Sequence, residues 1–175
     1  MAIPQRDRRG AKMNCFLPYE VEVLLSVAPI LPLYGIDENG ICTCGNSSCK
    51  SAGKHPISRN GSKDATQEKS VLLHYVSQHS TLNWGMTLPN LMVLDIDPRN
   101  GGNKELEKLQ NEIPEITKTL TQKTGGGGLH LFFRKPDFSS KGKLGRGIDI
   151  KSGATSYVVI APSRHVSGGR YQWAT

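Results

Sequence analysis

Leu91-Met92-Val93-Leu94-Asp95-Ile96-Asp97-Pro98-Arg99-Asn100-Gly101-Gly102 is the stretch on which the reading of this chain turns. An apolar run ending in two acids reads as a buried strand that carries carboxylates at its tip. Successive side chains on a strand point to opposite faces, so Asp95 and Asp97 share a face and Ile96 points away. Two ionised carboxylates on one rigid face repel each other. A divalent cation relieves that repulsion, because Mg2+ and Mn2+ take hard oxygen ligands, commonly carboxylates together with substrate phosphates. The competing reading is a polar exit from strand to turn, since Asp-Pro-Arg-Asn-Gly-Gly is rich in turn formers.

Working outward, residues 84–87 and 91–97 read as adjacent strands that turn at Pro89-Asn90. Residues 18–28 read as a first helix with Val21, Leu24, Leu25 and Ala28 on one stripe, and residues 30–34 as a strand. A long loop is expected over 35–63. Asp64 or Thr66 would cap a helix over 67–79. Residues 103–113 form a third helix with Leu106, Leu109 and Ile113 inward. From there the pattern is mostly strand, at 119–123, 129–134, 147–151, 157–161 and 171–173. Helices early and antiparallel strands late predict an α+β fold rather than a doubly wound sheet. Residues 1–14 read as a flexible basic arm and residues 15–175 as a single domain.

The 175 residues suffice for one good core. Lys and Arg number 22 against 15 Asp and Glu, a net charge of +7 that favours polyanionic partners. No run approaches the roughly 18 apolar residues of a membrane span, so no membrane partner is expected. Three of the four cysteines crowd into Cys42-x-Cys44-x4-Cys49, with His55 six residues on. Thiolates with an imidazole are a common closed zinc set, and the clustering argues for metal in a reducing cytoplasm over disulfides. Free thiols are the alternative. A bound ion would order the loop at 40–57.

Three further clusters offer groups to phosphate. Gly125 to Gly128 separate two strands and could aim backbone N–H groups at an anion, with His130 opening the next strand beside Gly127 and Gly128. Asp149 and Lys151 share one strand face, either serving a metal and a phosphate chain or forming a salt bridge. Ser163, Arg164 and His165 are candidate anion donors on a turn.

Taken in order, these clusters resemble the bifunctional primase-polymerase domain of the archaeo-eukaryotic primase superfamily. The elements are Gly53-Lys54-His55-Pro56, Gly61-x-x-Asp64-Ala65-Thr66, Asp95-x-Asp97 with Gly101-Gly102, Gly127-Gly128-x-His130, Ile148-Asp149, and Pro162-Ser163-x-His165 followed by Gly168, Tyr171 and Trp173. They span nearly the whole chain, from about residue 17. Gly128 stands where the superfamily has a serine.

The resemblance implies an RRM-like antiparallel sheet lobe packed with a smaller N-terminal α/β lobe. It implies template-directed nucleotidyl transfer in replication, expected of a mobile element or phage-like replicon. Asp95, Asp97 and Asp149 would hold two Mg2+ or Mn2+ ions. Gly127, Gly128, His130, Lys151, Ser163 and His165 would hold the triphosphate of an NTP or dNTP. A single-stranded DNA template with its primer is the implied partner, with a helicase module or C-terminal helical bundle in a longer protein. Two rival classes use the same residues differently: a metal-dependent nuclease, and a non-catalytic module that grips nucleic acid or docks a helicase.

Overall fold

In the computed structural model, residues 16–137 and 142–174 are described, so the basic arm at 1–14 lies outside the described residues. Three α-helices pack on one antiparallel sheet of seven strands, the expected α+β class. The chain runs α1 (Tyr19–Leu24), β1 (Ile30–Tyr34), α2 (Lys69–Gln78), β2 (Leu82–Ile96), α3 (Gly102–Glu112), β3 (Thr121–Lys123), β4 (Leu129–Arg134), β5 (Gly142–Gly145), β6 (Ile148–Ile160) and β7 (Gln172–Trp173). The sheet order is β5-β6-β2-β4-β3-β7, and β1 pairs with the first half of β2. The N-terminal segment thus adds its strand to the same sheet. Among the described residues no helix is long and apolar enough to cross a membrane.

α1 stops earlier than the apolar stripe predicts. Its last helical residue is Leu24, and turns lead to Pro29, which disfavours helical backbone at the residue before it. Thr66 does not cap α2. Its N–H and C=O exchange hydrogen bonds with Ile30, which ties the end of the long loop to β1.

The expected turn at Pro89-Asn90 is absent, and β2 runs unbroken for 15 residues. Proline cannot donate to a ladder, so in a strand it sits at edges or irregularities. Here the register with β6 slips twice around it: Thr87 faces Tyr157, Leu88 faces Gly153 and Met92 faces Ser152. The same slip joins the two predicted strands at 147–151 and 157–161 into one 13-residue strand, β6. Both long strands keep their direction through the irregularity because each flanks the other on either side of it.

Two of the three hydrophobic clusters set the faces of the sheet around the acids. Val21 and Leu24 of α1, Leu72 of α2, and Trp84, Met86, Leu88, Val93, Phe132 and Ile160 of the strands form the larger one. Leu94, Ile96, Leu131 and Ile148 pack with Leu106 of α3 in the second. Leu94 and Ile96 therefore face α3, and Asp95 between them is turned to the other side of the sheet.

α3 sits close to the strand that carries the acids. A Cβ at Gly102 would lie 2.5 Å from the Gly147 carbonyl oxygen and 2.8 Å from that of Asp97, both backbone atoms. The Gly102 N–H bonds the Asp97 carbonyl, and the Asp97 N–H bonds that of Gly147. Gly102→Ala should therefore destabilise the fold by about 1–3 kcal/mol through overpacking. The denaturant midpoint measures it, and an unchanged midpoint would mean that α3 can back away freely.

Candidate functional site

The register of the sheet assembles the site. Lys143, Asp149, Asp95, His130 and Gln122 are successive partners across β5, β6, β2, β4 and β3. Residues directly opposite in antiparallel strands project to the same face. Four of these five, from Lys143 to His130, line a cleft of about 640 Å³. Asp97, two residues beyond Asp95, lines it too, as do Gly128, Lys151 and His165. The three carboxylates predicted from spacing are thus brought together, with a dense ring of cations around them: Lys54, Arg99, Lys143, Arg146 and Lys151.

Each carboxylate has its own basic partner. Asp95 Oδ1 lies 3.5 Å from His130 Nε2, and Asp149 Oδ2 lies 3.2 Å from Lys151 Nζ. Asp97 accepts from Arg99 Nε at 3.0 Å on Oδ1, and from Arg99 and Asn100 on Oδ2 at 3.0 and 2.8 Å. Burial pushes the Asp95 carboxyl up, but the hydrogen bond from His130, with the charges of Lys151 and Lys54, outweighs it and leaves it below the ordinary value. For Asp97 the Arg99 guanidinium is the largest influence and holds its carboxyl down.

His130 is fixed by a residue the sequence did not flag. Gln122 is fully buried; its Oε1 accepts from the Ala161 N–H at 2.7 Å and its Nε2 donates to the Val159 carbonyl at 2.9 Å. That orients the amide, so Nε2, also 2.9 Å from His130 Nδ1, donates there. The ring proton is then on Nε2, facing Asp95. The signal for Gln122 was its polarity within a predicted strand, but only the register with β4 gives that polarity a use.

The glycine turn is tighter than an open phosphate nest. The Gly127 N–H bonds the Thr124 carbonyl, and the Gly128 N–H bonds Thr124 Oγ1 at 2.9 Å. Gly127 does not line the cleft, and those two N–H groups are already engaged, leaving Gly126 as the donor of this turn that lines it. Gly128 serves packing, since a Cβ there would meet the Ile96 carbonyl at 2.2 Å. Gly125 abuts His165, whose Nδ1 lies 2.8 Å from Ser167 Oγ and accepts from the Ser167 N–H at 3.2 Å. Burial, then the charges of Lys54 and Arg99, lower the His165 pKa.

Ser163 is placed elsewhere. It is buried, does not line the cleft, and its Oγ accepts from the Trp84 N–H at 2.8 Å. A hydroxyl after proline looks like an anion donor in sequence; here it ties the loop to β2. Arg164 contributes through its backbone, which exchanges hydrogen bonds with the buried Asn83 side chain.

Cys42, Cys44, Cys49 and His55 converge in the long loop, with all four ligand atoms within 4.8 Å of one another. Both Cys42 and Cys49 Sγ lie 3.4 Å from His55 Nε2. Thiolates near 2.3 Å and an imidazole near 2.0 Å from a tetrahedral ion require separations of about this size, so the set fits zinc. An N–H of Asn46 lowers the Cys44 thiol pKa, whereas burial raises that of Cys49. The next residue back from His55 is Lys54, which enters the cleft and whose carbonyl accepts from Tyr157 Oη at 2.7 Å.

Two groups predict a two-stage acid response in buffer free of added Mg2+ and Mn2+. His165, depressed by burial, contributes stability that is present above the ordinary value of 6.5 and lost as pH falls through its folded pKa. Asp97, depressed by Arg99, behaves likewise below 3.8. Urea midpoints should therefore fall first below 6.5 and again below 3.8, with His165→Gln flattening the upper stage and Asp97→Asn reducing the lower, to which Asp95 and Asp64 also contribute.

Residues 21–175 match the family described as bifunctional DNA primase/polymerase, N-terminal. No curated protein matches the chain in sequence. The chain belongs to that primase/polymerase family, which carries with it DNA and nucleotides as substrates and divalent metal as the general means of catalysis.

Proposed function

We propose that this member of the primase/polymerase family extends a 3′-hydroxyl by template-directed nucleotidyl transfer, taking each nucleotide from a bound NTP or dNTP. One observation carries the reading: Asp95, Asp97 and Asp149 share a single cleft with a ring of lysines and arginines. The carboxylates would hold two Mg2+ or Mn2+ ions, which supply charge neutralisation at the attacking and leaving oxygens. The protein's own part is positioning and electrostatics, which is most of what phosphoryl transfer requires.

His130, its Nε2–H fixed toward the cleft by Gln122, and Lys151 would contact the triphosphate. The imidazole of His165, largely neutral at pH 7 by its burial, would add a hydrogen bond from Nε2. Lys54, Lys143 and Arg146 add charge on the rim. Ser163 is left out of this set, and the Gly126 backbone replaces the contribution expected of Gly127 and Gly128. In this reading the sheet is the RRM-like lobe of the superfamily. A single-stranded template with its primer would approach over the basic surface, so its binding should weaken steeply with salt. The biological setting we favour is replication of a mobile element or phage-like replicon, with a helicase or helical bundle as partner.

Zinc in the Cys42-Cys44-Cys49-His55 set would hold the loop that delivers Lys54. Purified protein should contain about one zinc per chain. Cys49→Ser should lose it and lower the melting temperature, and metal-free protein with every thiol freely titratable would overturn the assignment.

Activity is tested with primed and unprimed templates, labelled nucleotides and each divalent metal. Extension dependent on Mg2+ or Mn2+ is expected, with Asp95→Ala and Asp97→Ala each reduced by at least about 100-fold, the scale on which preorganised charge acts. Absence of extension on both templates would sink the polymerase reading. Template cleavage without nucleotides would instead indicate a nuclease.

A further inference from the structure

We propose that Arg99 is a ligand for the nucleotide's triphosphate that is stored on Asp97 and released to the phosphates when a divalent cation takes the carboxylate. The proposal rests on the reading of Asp97 as a metal ligand.

The pair has the geometry of a reversible store. Arg99 engages both Asp97 oxygens in a fork, Nε to Oδ1 and the terminal nitrogen to Oδ2, each at 3.0 Å. With Asn100 on Oδ2 as well, the carboxylate is saturated by donors, and a cation can bind it only by displacing them. The displacement is cheap on the arginine side. The Arg99 side chain is 70% exposed, and an exposed pair of this kind contributes a factor of about five or less.

The root of the side chain does not move with its tip. Pro98–Asn100 form a 3-10 turn, closed by the Gly101 N–H on the Pro98 carbonyl, and Arg99 already lines the cleft from that turn. A freed guanidinium therefore swings within the cleft instead of leaving it. Its fork matches phosphate oxygens as well as it matches a carboxylate, and it cannot lose its charge.

The other two carboxylates show the same arrangement. Asp95 faces His130 and Asp149 faces Lys151, so each acid that would receive a cation is paired with a base that could pass to the phosphates. Arg99 completes the set, one base for each acid, and it is the one with a bidentate grip. Cation and nucleotide loading would then be coupled: the ion frees the group that the triphosphate needs.

The test uses the full chain with Arg99→Ala and Arg99→Lys, substitutions at an exposed position that should leave the fold intact. Mn2+ binding is measured without nucleotide by electron paramagnetic resonance of the free ion, and dATP binding in Mn2+ by calorimetry. Arg99→Ala should bind Mn2+ about threefold more tightly, because its competitor on Asp97 is gone. It should bind dATP about tenfold more weakly, as expected for one lost charge-assisted contact. Arg99→Lys should fall between on both. A residue that merely capped the turn would not move the two affinities in opposite directions. Unchanged or weaker Mn2+ binding, or unchanged dATP binding, in Arg99→Ala overturns the proposal. Asp97→Asn separates the layers. If it leaves Mn2+ binding intact, the reading of Asp97 as a ligand falls and takes the proposal with it. If it abolishes Mn2+ binding while Arg99→Ala equals wild type, the role of Arg99 alone is overturned.

Discussion

Like charges on one rigid face repel, and three carboxylates converging on one cleft make that repulsion the constraint around which this molecule is arranged. Asp95 and Asp149 stand directly opposite each other on neighbouring strands, and Asp97 follows two residues later. The repulsion is offset locally, by a histidine, an arginine and a lysine that each touch one acid. This pairing holds the Asp95 and Asp97 carboxyls below the ordinary value. It also explains why the cleft is strongly cationic at its rim although its floor is acidic.

Holding those charges in place falls to a small number of buried polar side chains that tie loops to the sheet. Asn83 on β2 donates to the carbonyls of Gly53 and Arg164 and accepts from the Arg164 N–H, so one amide fixes both the cysteine loop and the 163–170 turn. Ser163 makes a second tie to the same strand through the Trp84 N–H. Gln122 makes a third, between β6 and the imidazole of His130. Buried polar groups that are fully satisfied are specific in a way apolar packing is not, since each has only one arrangement that satisfies it. The cleft is thus bounded by loops, but by loops whose positions are set from the sheet.

Local pattern carried the reading a long way. The bounds of β1 and β4 and the inward Leu106 of α3 follow from apolar spacing, whereas Ile113, expected inward, falls just past the end of α3 and is exposed. The failures share a cause. Pro89-Asn90 is a turn former locally, but the pairing of β2 with β6 before and after it, at Thr87 and Leu88 and again from Met92, keeps the chain extended. β5, a short glycine- and lysine-bearing edge strand with little apolar content, carries no periodic signal at all. In the site, the acids were legible because their spacing is itself the chemistry. Gln122 was not, because its use depends on what lies across the sheet, and Arg99 was not, because its use depends on a side-chain fork that turns back onto Asp97. Ser163 was misjudged because burial does not register in a turn motif.

The contact between the β3–β4 turn and the 163–170 loop has a bearing on how this cleft can be varied. A Cβ at Gly169 would lie 2.2 Å from the Gly125 carbonyl oxygen, and one at Gly125 would lie 2.4 Å from the Cβ of His165. Two backbones more than 40 residues apart in sequence are therefore pressed together with no room between them. Gly127 differs: space around it is open, and its φ of +89° asks only for a residue at ease in left-handed backbone, such as asparagine. A library built on this scaffold has two tolerant positions in a loop of four glycines, Gly127 and Gly126, where a Cβ would meet only the His165 ring at 3.5 Å; diversity placed at Gly125 or Gly128 would yield molecules that cannot close.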